Sequence, residues 1–108
     1  MITFTEINQP AKLLGLHYAK QLKNEFAEEV IKGDKDVSSK EEAIEFTNFF
    51  WQMTDQAVID QENENQVAGI HDLEFWMEKL MNITIGYLSS CGYKDQWTIE
   101  TNRINGHA

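Results

Sequence analysis

From Pro10 onward, apolar residues recur every three or four positions: Ala11, Leu14, Tyr18, Leu22, Phe26 and Val30. That spacing lines one face of a helix. Pro10 suits a first helical turn, where its missing N–H costs nothing. Gly33, directly after Lys32, marks a C-terminal stop. The pattern predicts a first helix over residues 9–32. Ser39 and Glu42 have the spacing of a capping box, and a second helix is predicted over 39–61. Its apolar residues Ala43, Ile44, Phe46, Phe49, Phe50, Trp51, Met53, Ala57 and Val58 cover far more than the ~100° stripe of an ordinary surface helix. Glu41, Glu45, Asn48, Gln52 and Asp55 form its narrow polar face. Such a helix needs apolar neighbours on two sides. It is expected at the centre of a bundle or, as an alternative, at the contact of a homodimer built through helix 39–61.

Gln61 to Gln66 is polar and acidic and reads as a loop. A third helix is predicted over 70–91, with Asp72 near its start and Gly92 just past its end. Leu73, Trp76, Met77, Leu80, Met81, Ile83, Thr84, Tyr87, Leu88 and Cys91 gather on one side of it, and Phe75 falls opposite, among Glu78, Lys79 and Asn82. Residues 2–5 alternate polar and apolar, as do Trp97-Thr98-Ile99-Glu100-Thr101, so two short strands that tie the termini together are expected. The fold class expected is all-α: a compact three-helix bundle with short irregular or strand-like termini, forming a single helical domain over 1–108.

Composition supports a globular chain: 108 residues are 42% apolar with twelve aromatics, one proline and six glycines. Cys91 is the single cysteine, so neither an internal disulfide nor a multi-cysteine zinc site is available. Met1-Ile2-Thr3-Phe4-Thr5-Glu6 lacks the basic and apolar regions of a signal peptide. No apolar run is long enough to span a bilayer. A cytoplasmic protein without membrane contact is expected.

Charge changes the picture more. The net charge is −9. Residues 1–40 balance six acids with six bases, and residues 79–108 carry Asp95 and Glu100 against Lys79, Lys94 and Arg103. Residues 41–78 hold ten acids and no Lys or Arg. The whole excess therefore belongs to one segment, which is either a solvated face or a patch directed at a basic partner.

Phosphate loops, dinucleotide-binding glycines, HExxH, CxxC and the nucleophile elbow are all absent. Cys91 lies on an apolar helix face, where an inert thiol is expected. His17, His71 and His107 share no helical metal spacing. Nine basic residues scattered among eighteen acids make no phosphate-binding stripe, so direct nucleic-acid binding is not expected. Glu41-Glu42-Ala43-Ile44-Glu45 has EExxE spacing and resembles the first acidic motif of the all-α nucleotide pyrophosphatases of the MazG type. That resemblance implies Mg²⁺ held by carboxylates from two helices. The second motif, ExxD, is not matched, because Gly69 stands where its acid should precede Asp72. The acids at 41, 42 and 45 also complement the N-terminus of their own helix.

These observations lead to the expectation of a non-enzymatic acidic inhibitor or immunity-type protein, of the kind used in phage anti-defence or against toxic nucleases. It would bind a basic protein surface on a nucleic-acid-handling partner and need no cofactor, metal or catalytic group. Glu41, Glu45, Asp55, Asp60, Glu62, Glu64, Glu74 and Glu78 would supply the charge, and Phe75 a packing anchor. A homodimeric adaptor and a Mg²⁺-dependent pyrophosphatase-like enzyme are the alternatives.

Overall fold

The computed structural model describes residues 9–63 and 72–106. These form five helices: α1 (Gln9–Gln21), α2 (Glu25–Lys32), α3 (Lys40–Glu62), α4 (Leu73–Ser90) and α5 (Lys94–Ile104). The all-α expectation holds, but the described residues make five helices and not three. The 2–5 segment lies outside the described residues.

The expected first helix is two. Leu14, Tyr18, Leu22, Phe26 and Val30 are successive i+4 steps, and each step drifts about 40° around a helix of 3.6 residues per turn. One straight helix would carry its later apolar residues away from the core. The chain resets at Lys23, which adopts a left-handed φ of 57°. Lys23 N–H donates to Lys20 O and Asn24 N–H to Ala19 O, the paired bonds of a Schellman closure. The Asn24 side chain then caps α2 by accepting from Ala27 N–H. The α1–α2 elbow is tight at Gly15, where an added Cβ would stand 3.0 Å from Ile31 Cδ1.

Other boundaries fall close to expectation. Gly33 and Gly92 terminate α2 and α4 at φ of 86° and 87°, each with the same Schellman pair of bonds. Ser39 caps α3 through Glu42 N–H. Glu42 does not return the bond to Ser39; its carboxylate accepts from the N–H and hydroxyl of Ser38 instead.

The expected strand at 97–101 is helical. Alternation was the wrong period: Trp97 and Glu100 are buried while Ile99 is 64% exposed, which is a helical spacing. Trp97 stacks on Trp51 at 5.9 Å and meets Phe50 edge-on at 5.4 Å.

Buried side chains from all five helices make one cluster, with Leu14 and Tyr18 of α1, Val30 and Ile31 of α2, Phe46, Phe49, Phe50 and Met53 of α3, Tyr87 and Leu88 of α4, and Trp97 of α5. α3 touches each of the other four helices. That explains its wide apolar arc. Tyr87 ties the α2–α3 connection to the core, its hydroxyl accepting from Val37 N–H at 3.0 Å. No described helix is long and apolar enough to cross a membrane.

Candidate functional site: an acidic helix stripe beside an apolar groove

Six exposed residues of α3 fall on one side of the helix. Glu41, Glu45, Gln52, Asp55, Ile59 and Glu62 are exposed and follow one another at spacings of three, four or seven residues. They occupy a stripe about 32 Å long at 1.5 Å per residue. Glu41 and Glu45 lie toward one end, Asp55 and Glu62 toward the other.

Two expected members do not join them. Asp60 is 7% exposed. Its Oδ2 accepts from the Tyr18 hydroxyl at 2.9 Å and its Oδ1 from Gln56 Nε2 at 3.1 Å. Burial, then the bond to Asp60, pushes the Tyr18 phenol well above its ordinary range, so Tyr18 remains a neutral donor. Asp60 is thus a core carboxylate with both oxygens satisfied, and it is not part of an accessible patch. The sequence carried that signal: Met53, Ala57 and Asp60 share one buried stripe at i, i+4, i+7. Glu64 lies outside the described residues.

On α4 the expected residues divide. Glu74 lines a groove of about 250 Å³ with Thr54, Ala57, Val58, Gln61, Leu73 and Met77. Phe75, 45% exposed, belongs to a separate hollow with Glu78, Lys79 and Asn82. Its ring lies edge-on to Trp76 at 5.1 Å, with Lys79 Nζ 5.2 Å from its centroid. Phe75 and Glu74 therefore face different surfaces.

Among the described residues, Glu41, Glu45, Asp55, Glu62, Glu74 and Glu78 form no ion pair; the ion pairs are Lys32–Glu28, Lys35–Glu42 and Arg103–Glu100. Hydrogen bonds from Ser38, first backbone and then side chain, hold the Glu42 carboxyl below its usual range. The Arg103 guanidinium does the same for Glu100 through bonds of 2.6 and 2.7 Å.

Of the EExxE acids, Glu41 and Glu45 share the exposed stripe and Glu42 is engaged elsewhere. Among the described residues no three His, Cys, Asp or Glu groups converge on a point. Cys91 is half-buried at the C-cap of α4, against the core.

The groove is not evident in the sequence, because Leu73 and Met77 have core-helix spacing. The hint in the sequence is Val58, an apolar residue set between Asp55 and Glu62; the structure leaves it 50% exposed. The class defined by this geometry is an all-α protein with a carboxylate-lined central helix and an adjoining groove. No protein-family model matches the chain, and comparison with curated proteins and with solved structures returns no match.

Proposed function

We propose that this protein is a non-enzymatic binding protein of inhibitor or immunity type, which presents the α3 carboxylates to a basic surface on a nucleic-acid-handling partner. The observation that carries this reading is the set of six exposed acids on α3 and α4 that form no ion pair among the described residues, in a segment with no Lys or Arg. Exposed carboxylates normally gain little from one another. At 0.01 M salt the screening length is about 30 Å, so the whole stripe acts as one field, whereas at 0.15 M it is about 8 Å and each acid feels only its neighbours. Attraction to a basic partner is therefore strong at low salt and falls steeply as salt rises. The homodimeric alternative, through the apolar arc of helix 39–61, is weaker. The apolar arc of α3 that such a dimer would use is mostly covered by the other four helices of the same chain. A two-fold contact along the polar stripe would set carboxylate against carboxylate.

Affinity capture at low salt tests the reading, with the wild type compared against a variant carrying Glu41→Gln, Glu45→Gln, Asp55→Asn and Glu62→Gln. Capture of a basic protein that is released by moderate salt and falls at least about tenfold with the variant is expected. Retention indifferent to both salt and substitution would rule the charge mechanism out.

A further inference from the structure

The groove between α3 and α4 has a floor and a rim of different chemistry. Ala57, Val58, Leu73 and Met77 contribute apolar surface and Glu74 a carboxylate, and no cation is among the described lining residues. Asp55 and Glu62 stand at i−3 and i+4 from Val58, so helical geometry places both beside it on the surface. The apolar strip is thus bracketed by carboxylates on both walls. Its volume of about 250 Å³ falls below the ~300–1,000 Å³ of typical small-molecule sites. It suits a few side chains of a docked chain. Both walls are helices whose backbone groups are already bonded internally, and strand addition needs a free sheet edge. An occupant held through side chains alone, as a helix is, fits these walls.

We infer that this groove docks an amphipathic helix of the partner, with an apolar ridge of i, i+3/i+4 spacing seated on Val58, Leu73 and Met77 and Lys or Arg flanks meeting Asp55, Glu62 and Glu74. The inference rests on the proposed acidic binding function and gives its partner a form. The stripe end at Glu41 and Glu45 contributes long-range attraction and not the seat.

Three fluorescent helical peptides of equal length test it by anisotropy at low salt: a Leu–Lys peptide with Leu at i, i+3/i+4 positions, an Ala–Lys peptide of the same charge, and a Leu–Glu peptide of the same apolar ridge. The Leu–Lys peptide should bind at least tenfold more tightly than either of the others. Val58→Asn and Met77→Gln, each checked for retained helicity, should remove the advantage of Leu–Lys over Ala–Lys, whereas Glu41→Gln with Glu45→Gln should weaken both Lys peptides alike and leave that advantage in place. Val58 is half-exposed, so its variant keeps the test open if Met77→Gln disturbs the fold. Equal binding of Leu–Lys and Ala–Lys peptides overturns the groove and leaves the acidic surface standing. Equal binding of the Leu–Glu peptide overturns the charged rim. Absence of binding by both Lys peptides overturns the acidic reading as well. A dimer by sedimentation that Val58→Asn dissociates would assign the groove to a second copy and overturn the inference.

Discussion

α3 is one helix with two differently finished halves. Its first half is sealed: Phe46 meets Phe26, Phe49 and Tyr87 through ring contacts, and Phe50 and Trp51 pack on Trp97 of α5. Trp51 also donates its indole N–H to Thr101. The second half has Asp60 bonded into the core at its back, while Val58 and Ile59 remain about half exposed at its front. The apolar content of the two halves is less different than their cover. α5 closes the flank of the first half, and beside the second half the N-terminal turns of α4 line the groove. The same residue types serve as core in one place and as candidate contact surface in the other, and the neighbouring helix decides which.

The largest effect should come from opening the sealed half. Trp97 is 6% exposed and lies between Phe50 and Trp51. Trp97→Ala removes a large aromatic from a close-packed site, at a cost of about 3–5 kcal/mol. In a domain of this size that lowers Tm by more than about 12 °C. Thermal denaturation followed by circular dichroism measures it. A drop as small as that of a surface substitution would mean that α5 is not the cover that distinguishes this half.

A middle-sized effect belongs to the back of the open half. Tyr18→Phe removes the hydroxyl that bonds Asp60 Oδ2 and leaves a buried carboxylate short of a donor. The loss should be about 1–3 kcal/mol in urea denaturation. Adding Asp60→Leu should restore much of it, because replacing both partners with apolar groups removes the unmet demand. If the double variant is as unstable as the single one, the Tyr18–Asp60 bond is not what anchors this half.

The sealed half was largely legible in the sequence, and the open half was not. The wide arc of Ala43 to Val58 announced a central helix, and Ser39, Gly33 and Gly92 announced boundaries the structure places within a residue or two. These are local signals of backbone geometry and period. The elbow at Lys23 was hidden because an i+4 run looks continuous on paper, although Asn24 followed by Glu25 and Glu28 is a helix start. α5 was hidden because Trp97 and Ile99 imitate a strand. Asp60 resembles the surface acids by charge alone, and only its period with Met53 and Ala57 places it in the core. The groove depends on how α3 and α4 meet across residues 64–71, and no local pattern encodes that rotation. Glu41, Glu45, Asp55 and Glu62 emerged on one stripe because they lie on one helix, where spacing alone fixes the face.

The smallest stability effect should come from the front of the open half. Ile59 is 47% exposed on the carboxylate stripe, between Asp55 and Glu62. A large apolar side chain in that position contributes little to the fold, since much of its surface remains in water. Ile59→Ser should change stability by no more than about 0.5 kcal/mol, a shift in Tm of less than about 4 °C. Set against Trp97→Ala, the same loss of an apolar side chain from the same helix system then differs several-fold in cost. The variant also keeps every carboxylate, so a weakened grip on a basic partner would come from lost apolar contact and not from lost charge. A fall in Tm comparable to that of a core truncation would mean that Ile59 is covered in solution, by another part of the chain or by a second molecule. The two halves of α3 would then differ in what covers them rather than in whether they are covered.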